Sequence, residues 1–497
     1  MNELIPALGG LLDNTFQGLP YLLPELILVL TFVLVILVDL FAPGKRSTAA
    51  FVVCLAGMTA SVAAGFLPVP SEHGQPTLLF GHTLWVDGAG RIFKQIFYGV
   101  TILFAVFLRC NSEMKSHSKG PGDFYILLPA ILLSLNLMSM ASSLLLVYLS
   151  IEMVSIASYL AVGYVSGSSK QTEAAMKYVL FGSACSAVML YGMSMLYGFT
   201  GTLNVADPEF VSRLAQMPVL ASSVALGLVL VGVGFKLSFV PMHFWSPDVY
   251  EGAPTPVTAF LSTGPKIAGF ALLMRLMTSL STEGASVLGF NLTEVLSCLA
   301  ILSMVAGNFA ALWQENVKRM LAYSSIGHTG FILLAVVAHS HDGLKALLFY
   351  VLIYAVMNMA AFMIAGKIEE QSGATRLSDY RGLGKYLKLE MVCFTVVLVS
   401  LTGLPPLAGF IAKFLIFSAI FEAYTRSHSP LMIALLVTGA VTTVVSLFYY
   451  FKIPLNAFLR SAETEPALRK KSDALTVLMV VLTALLLLWG VFPGLLI

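Results

Sequence analysis

The sequence predicts an all-α integral membrane protein with about fourteen transmembrane helices. The chain of 497 residues is 58% hydrophobic and only 11% charged, whereas soluble domains carry about 25% charged residues. Its mean hydropathy is +0.88. Apolar stretches of about 20 residues, the length that crosses a bilayer, recur from end to end. This pattern leaves no room for a sizeable soluble domain.

The apolar stretches give the position of each span. They lie near residues 22–41, 48–67, 92–108, 124–141, 143–165, 172–199, 221–244, 255–278, 291–313, 319–338, 345–366, 389–424, 431–452 and 474–492. The first is predicted to be a retained helix rather than a signal peptide, because Pro24 and Glu25 stand where a basic n-region would be and no cleavage site follows. The twelfth is too long for one straight helix, so we expect it to bend or break.

Lysine and arginine residues are concentrated in alternate loops. Of the 28 such residues, the odd-numbered loops hold 18, the even-numbered loops hold 5 and the spans hold 5, which accounts for all 28. The odd loops include Lys367, counted after the eleventh span. Because cytoplasmic loops carry the excess of positive charge, we expect the odd loops in the cytoplasm and both termini outside it. The cations within spans are Lys94, Lys177, Lys236, Lys266 and Lys413.

The order of the spans indicates an internal repeat. The fourth to eighth and the ninth to thirteenth spans form two five-helix units, and an odd number of helices inverts the second unit. Each unit has an interrupted helix, at residues 239–241 in the seventh span and 403–406 in the twelfth. Paired interruptions are typical of inverted-repeat transporters. The predicted division is 1–121 (three N-terminal helices), 122–283 (first repeat), 284–460 (second repeat) and 461–497 (C-terminal helix).

Three lysines lie deep within apolar spans, each close to a proline. The pairs are Lys236 with Pro241, Lys266 with Pro265, and Lys413 with Pro406. A proline cannot donate to the carbonyl four residues earlier, so Pro241 frees Leu237 and Pro265 frees Leu261. A freed carbonyl in hydrocarbon must find protein or water, and we expect wet pockets there. These lysines are predicted to belong to a proton path; the alternative is that they snorkel to the interface.

A carboxylate and an imidazole complete the candidate path. Glu152 lies in a span that is otherwise apolar except for small hydroxyl residues. Intramembrane ionisable groups are functional by default. The alternative is a structural ion pair between helices. His328 lies in the tenth span between small residues, and histidine titrates near neutrality, which suits a proton relay. The alternative for His328 is a core histidine with satisfied hydrogen bonds.

Five further ionisable residues are weaker candidates. Glu173 and Lys177 are spaced i and i+4, so they form either a plain surface pair or part of the path. His243 follows the interruption of the seventh span. Asp248 and Glu251 lie in a short polar link, where they either attract cations or serve turn and capping chemistry.

Nothing in the chain indicates a cofactor site. The cysteines are scattered singly, without the spacing of an iron–sulfur cluster, a zinc site or a disulfide framework. There is no dinucleotide fingerprint and no phosphate-binding loop. We therefore expect no cofactor, metal or nucleic acid on this chain, and the lipid bilayer as its surroundings. The cysteines are Cys54, Cys110, Cys185, Cys298 and Cys393.

Five segments resemble a known family. They read IEMVSIASYL, EAAMKYVLFG, HFWSPDVYEGAPTPVTAFLSTGPKIAGF, AYSSIGHTGF and GLPPLAGFIAKF. Together they resemble subunit N of bacterial NADH–quinone oxidoreductase, respiratory complex I, from about residue 120 to 455. The DVYEGAPTPVTAF form is typical of the N type, whereas the sister subunits L and M carry different residues there.

The resemblance implies a role for each candidate. Glu152 matches the family's fifth-helix glutamate, Lys236 and Lys266 its seventh- and eighth-helix lysines, His328 its tenth-helix histidine and Lys413 its twelfth-helix lysine. It also implies a proton-translocating subunit of the bacterial inner membrane, one part of a translocase. Flavin, iron–sulfur clusters and quinone are then expected on partner subunits of the membrane and peripheral arms.

Two other interpretations remain open from the sequence. A free-standing cation/proton antiporter would need the same charged, broken helices. A related complex with another electron donor would differ only in its other chains. Copurification with many partners would distinguish the first of these from a complex subunit.

Overall fold

The computed structural model describes residues 15–41, 46–67, 77–116, 120–165, 168–280, 291–461, 468 and 473–496. Within these ranges, 14 helices are long and apolar enough to cross a membrane. The predicted all-α membrane fold and the number of spans are therefore confirmed. The cations Lys45, Lys119, Arg469, Lys470 and Lys471 lie outside the described residues, as does the predicted boundary between the two repeats at 283 and 284.

The N-terminal part contains three long helices and a hairpin. A 3-10 turn (Leu19–Leu22) leads into α1 (Leu23–Phe41) and α2 (Arg46–Gly65). The strands β1 (Thr77–Leu79) and β2 (Leu84–Val86) pair antiparallel and lead into α3 (Gly88–Cys110). Asp87 caps α3, because its Oδ1 accepts a hydrogen bond from the Gly90 amide at 2.7 Å.

The next part of the chain contains the fourth to eighth spans. Its helices are α4 (Ser112–Ser116), α5 (Gly122–Met140), α6 (Leu144–Val162), α7 (Ser169–Thr200), α8 (Pro208–Ala215), α9 (Val219–Leu237), α10 (Trp245–Gly252), α11 (Thr255–Leu261) and α12 (Gly264–Leu280).

The last part contains the ninth to fourteenth spans. Its helices are α13 (Leu292–Leu312), α14 (Val317–Ala338), α15 (His341–Ser372), α16 (Leu383–Tyr386), α17 (Lys388–Thr402), α18 (Ala408–Ser427), α19 (Pro430–Pro454) and α20 (Asp473–Val491). Shorter turns lie at Leu377–Tyr380, Leu455–Leu459 and Pro493–Leu495.

The central helices are enclosed and the peripheral ones face outward. About nine-tenths of the residues in the eighth, tenth and eleventh spans are buried, against less than a third in the first two and the last two. The apolar side chains that the peripheral helices expose suit contact with lipid. The enclosed helices α12, α14 and α15 carry Lys266, His328 and two buried tyrosines, so polar groups are concentrated where lipid cannot reach.

Within the residues that the structure describes, three spans are broken. The seventh ends at Leu237, where Ser238 takes a left-handed conformation (φ 56°), and a separate helix, α10, follows. The twelfth divides at Gly403, whose φ of 87° favours glycine. These are the two interruptions that the sequence predicts. The eighth span also divides, at Ser262 and Thr263. This third break was not expected, although Pro265 follows it closely.

Lys367 was placed wrongly by the count of loop charges. It lies inside α15, is 3% exposed and forms an ion pair of 3.0 Å with Glu390 of α17. Helix α15 continues to Ser372, beyond the predicted end at residue 366. The charge could extend into the bundle because Glu390 compensates for it there.

Candidate functional site

The break after α9 lies beside a buried lysine ammonium. Lys236 is 2% exposed, and its Nζ has no hydrogen-bond partner among the described residues. The Leu237 carbonyl accepts a hydrogen bond from Thr329 Oγ1 of α14 at 3.0 Å, a hydroxyl whose single hydrogen is shared with the Ser325 carbonyl of its own helix, also at 3.0 Å. The Phe235 carbonyl accepts one from Trp245 Nε1 of α10 at 3.1 Å. A protein group therefore satisfies the freed Leu237 carbonyl, which is one of the two ways that the sequence allowed.

Glu152 is the acidic group close enough to act electrostatically on Lys236. It lies on α6, is partly buried and accepts a hydrogen bond from Ser186 of α7. Within the described ranges, the two side chains do not form a direct ion pair at the 4.0 Å limit. The carboxylate therefore influences the ammonium across a gap. A structural ion pair in direct contact, the alternative that the sequence left open, is not what the structure contains.

Lys266 is the first member of a hydrogen-bonded chain. It is 1% exposed, and its Nζ donates to Ser325 Oγ of α14 at 2.7 Å. Ser325 Oγ in turn lies 2.7 Å from the Tyr354 hydroxyl of α15. That hydroxyl donates to the Ser262 carbonyl at 3.0 Å. The ammonium also faces the Tyr250 ring, 5.7 Å from its centroid.

His328 lies between two tyrosine hydroxyl groups. Its Nδ1 is 2.7 Å from the Tyr350 hydroxyl and its Nε2 is 3.3 Å from the Tyr450 hydroxyl. Tyr450 is also hydrogen-bonded to Ser324. A neutral imidazole has one donor and one acceptor nitrogen, so one tyrosine donates to the ring and the other accepts. The contacts satisfy a core histidine and also connect the ring to groups that can carry a proton.

Lys413 closes the break between α17 and α18. Its Nζ donates to the Thr402 carbonyl at 2.8 Å and to Thr443 Oγ1 at 3.4 Å. It also lies 4.6 Å from the centroid of the Phe331 ring, a distance at which a cation is attracted to the ring face. Thr402 is four residues before Pro406, so its carbonyl is the one that the proline leaves without a donor. None of the three path lysines snorkels, since Lys236, Lys266 and Lys413 are all buried.

The weaker acidic candidates form ion pairs around α10. Lys177 contacts Glu173 at 2.7 Å and Asp248 at 2.6 Å, and Arg319 contacts Asp248 at 2.5 Å and Glu251 at 3.2 Å. These five residues, here called the α10 cluster, join α7, α10 and α14 beside a cavity of about 130 Å³. Burial alone would raise the pKa of Asp248, but the hydrogen bonds from Lys177 and Arg319 lower it below its usual value.

His243 lies near enough to Lys266 to interact with its charge, but in the part of the chain that the structure describes it forms no hydrogen bond to the groups above. Its ring packs against Phe244 at 4.4 Å between centroids, and its Nδ1 has no hydrogen-bond partner among the described residues. The structure therefore gives it neither a place in the chain from Lys266 nor a place in the α10 cluster.

Several polar residues of the site were not predicted from the sequence. Ser325, Tyr350, Tyr354 and Tyr450 supply the hydroxyl groups between the titratable side chains. Tyr350 and Tyr354 are spaced i and i+4, which places them on one face of α15. That spacing is the signal that could have identified them. Tyrosines are too common in membrane helices for it to stand out alone.

Two further buried ion pairs lie away from this site. Lys94 of α3 contacts Glu25 of α1 at 2.8 Å, and Arg275 of α12 pairs with Asp87. Both join the N-terminal helices to their neighbours. In the described part of the chain, no three His, Cys, Asp or Glu side chains gather as a metal-ligand set.

The sequence is similar to those of known membrane proteins, and this similarity shows its family. A profile of the NADH:quinone oxidoreductase/Mrp antiporter transmembrane family matches residues 141–445, which include every helix break and all five path candidates. The chain belongs to this family. NADH-quinone oxidoreductase subunit N 2 of Chloroherpeton thalassium is 42% identical over 97% of this chain and 93% of its own length.

Solved structures of the family have the same fold. A chain of respiratory complex I from Thermus thermophilus with bound aureothin is 32% identical, with a TM-score of 0.77 over 95% of this chain and 98% of that one. A chain of the Mrp complex from Dietzia sp. DQ12-45-1b is 22% identical, with a TM-score of 0.81 over 97% and 96%. The second likeness shows the shared fold alone.

Proposed function

We propose that this chain is a membrane-arm subunit of a bacterial NADH–quinone oxidoreductase and conducts protons across the plasma membrane. The observation that carries the proposal is the burial of three lysine ammonium groups inside the bundle, at or beside three helix breaks. Buried charges in membrane spans mark ion and proton pathways. The name of the Chloroherpeton relative and the source of the Thermus structure support the assignment to this complex.

The charge states of Glu152 and Lys236 are the first to change. Quinone reduction elsewhere in the complex biases them, and an ammonium without a hydrogen-bond partner responds strongly to a neighbouring carboxylate. The disturbance passes through Lys266 and His328 to Lys413, from which a proton leaves on the outer side. Glu173, Lys177 and His243 have secondary roles at the edge of this path.

The transmembrane helices are organised as two repeats with flanking helices. Residues 122–283 and 284–460 are two inverted repeats, between the three helices of 1–121 and the helix of 461–497, with both termini outside the cytoplasm. The breaks in the seventh and twelfth spans support this division, because they fall in corresponding spans of the two units. Partner subunits of both arms hold the flavin, the iron–sulfur clusters and the quinone.

The experiment that tests the proposal is Lys236→Ala in the assembled complex. Proton pumping driven by NADH in inverted membrane vesicles should be lost, while a native gel shows a normal amount of complex. Lys345→Ala is the matched control, because Lys345 is an exposed lysine (61%) whose one ion pair among the described residues is with Asp342 at 3.9 Å. Normal pumping by Lys236→Ala at normal complex levels would refute the proposal.

A free-standing antiporter is the competing function, since the Mrp chain has the same fold. Purification through a tag on this chain separates the two. A complex subunit brings many partners with it and a flavin and iron–sulfur spectrum, whereas an antiporter brings neither. A complex with another electron donor is recognised by reductase activity that does not use NADH.

A further inference from the structure

The chain of hydrogen bonds that begins at Lys266 returns to the backbone of the same span. It passes from Lys266 of α12 to Ser325 of α14, then to Tyr354 of α15, and ends at the carbonyl of Ser262. Ser262 lies in the break between α11 and α12, four residues before Lys266. Ser325 and Tyr354 are fully buried, so the chain is shielded from lipid and bulk solvent.

The charge of Lys266 sets the direction of every bond in this chain. An ammonium can only donate and a carbonyl can only accept, while each hydroxyl has one hydrogen. The hydrogen of Tyr354 is therefore committed to Ser262. The hydrogen of Ser325 must then point to the Tyr354 oxygen, and the Ser325 oxygen accepts from Lys266. With Lys266 charged, each group has a partner and no alternative arrangement keeps them all.

Loss of the Lys266 proton allows the chain to reverse. A neutral amine has a lone pair that accepts, so the Ser325 hydroxyl can turn toward Nζ and the Tyr354 hydroxyl toward Ser325. The proton that leaves Lys266 goes to the conduction path, and both hydroxyl groups keep their own hydrogens. The Ser262 carbonyl then has no donor, which costs free energy in a buried site.

We propose that Ser325 and Tyr354 are positioning residues that transmit the charge of Lys266 to the break in the eighth span. With Lys266 charged, the hydrogen of Tyr354 is committed to Ser262; with Lys266 neutral, the chain can run in either direction, so Tyr354 holds the break for only part of the time and the break becomes more mobile. This inference rests on the proposed function, in which Lys266 gains and loses a proton. It adds a consequence that the function alone does not require, a backbone that responds to that proton.

Other titratable groups also face Lys266. His243, before α10, and His328 of α14 are near enough to interact with its charge. The Tyr250 ring of α10 faces the ammonium, and Tyr354 is connected to it through Ser325. Among the described contacts, only Tyr354 hydrogen-bonds to the Ser262 carbonyl. A pH effect on the break that depends on the Tyr354 hydroxyl therefore reports on Lys266 rather than on its neighbours.

Hydrogen exchange at the break, measured on the assembled complex, tests the proposal. In the unsubstituted protein, exchange at residues 261–267, corrected for the intrinsic rate, should be faster in mildly alkaline than in mildly acidic buffer. Tyr354→Phe removes the bond to Ser262 and should give fast exchange in both buffers, so the pH difference disappears. Ser325→Ala should also abolish the difference, and Ser325→Thr, which keeps the hydroxyl, should restore it.

Tyr250→Phe is the matched control. Its ring faces Lys266 but its hydroxyl has no hydrogen-bond partner among the described residues, so the pH difference should remain. Persistence of the difference in Tyr354→Phe, or its absence from the unsubstituted protein, would overturn the proposal. Lys236→Ala pumping tests the proposed function separately. If that variant loses pumping while Tyr354→Phe keeps the pH difference, only the present inference fails.

Discussion

Each of the two predicted breaks contains a buried lysine, but the two lysines are bonded differently. After α9, neutral groups cap the backbone: Thr329 donates to the Leu237 carbonyl at 3.0 Å, and Lys236 has no partner among the described residues. Before α18, the cation itself is the cap, because Lys413 donates to the Thr402 carbonyl at 2.8 Å. Lys236 therefore lies beside its break without bonding to the backbone there, whereas Lys413 is hydrogen-bonded to the backbone of its break.

Because of this difference, loss of a proton has different consequences for Lys236 and for Lys413. Lys236 can become neutral without breaking any hydrogen bond, so its charge follows Glu152 at little structural cost. Lys413 can become neutral only by weakening the cap on a carbonyl that Pro406 already deprives of a donor. We infer that the first break favours rapid charge changes, and that the second couples a charge change to movement between α17 and α18.

The largest expected effect is that of Lys413→Met. It should abolish pumping and also lower stability by about 1–3 kcal/mol, because a buried carbonyl loses its donor. Lys236→Met should abolish pumping without lowering stability, since it removes an unpaired buried charge. Pumping in vesicles and thermal inactivation of reductase activity measure the two effects. Equal thermal stability of the two variants would show that the breaks do not differ in this way.

Glu152→Gln tests whether Lys236 depends on a carboxylate across a gap. We expect roughly a tenfold loss of pumping, because losing about 1.4 kcal/mol of interaction changes a rate by that factor. The amide oxygen can still accept from Ser186, so assembly should be normal on a native gel. Glu422→Gln, in an exposed pair with Arg426 at 3.8 Å, is the control. Missing complex would instead indicate a structural carboxylate.

The sequence predicts the positions of the two breaks better than it predicts their caps. Proline and glycine disrupt a helix locally, so residues 239–241 and 403–406 could be recognised from the chain alone. The cap of Leu237 comes from Thr329, 92 residues away, and nothing near either residue signals that contact. The cap of Thr402 comes from Lys413, only 11 residues away, and the spacing from Pro406 could have indicated it.

The same limit explains why the break in the eighth span was not expected and why Lys367 of the eleventh span was placed wrongly. Pro265 indicated a freed carbonyl at Leu261, but the helix breaks at Ser262 and Thr263, where Tyr354 from another helix donates to the Ser262 carbonyl. Lys367 was counted as a loop charge because a compensating carboxylate, Glu390 of α17, cannot be recognised without the fold. Family resemblance named the candidate path residues, but it did not reveal the tyrosines that lie between them.

Thr329→Val removes the neutral cap of the first break. Stability should fall by about 1–2 kcal/mol, because the Leu237 carbonyl stays buried without a donor, and the effect should be smaller than that of Lys413→Met. Thr278→Val is the control, since the one hydrogen bond of its hydroxyl within the described part of the chain goes to the Met274 carbonyl of its own helix at 2.9 Å. Thermal inactivation of the assembled complex measures both. A similar loss in the two variants would mean that the Leu237 contact does not matter for the break.

The smallest expected effect concerns the anchoring of α10, the helix that follows the first break. Asp248 of the α10 cluster has a lowered pKa in the folded protein. Its ion pairs therefore stabilise the fold at pH values above the unfolded pKa of about 3.9, and this contribution is lost as the pH falls through the lower folded value. The described residues include no such ion pair in the linker 403–407 of the second break.

Asp248→Asn should accordingly lower stability by about 0.5–1 kcal/mol near neutral pH, since the carboxylate is partly exposed and screened by solvent. The difference in stability between the variant and the unsubstituted protein should disappear as the buffer is made acidic, because protonation of Asp248 removes the charge that the variant lacks. Thermal inactivation, measured from neutral to acidic pH, gives this difference in stability. Asp342→Asn, in an exposed pair with Lys345, is the control. A difference that stays constant with pH would mean that shape, rather than charge, holds α10 against α7 and α14.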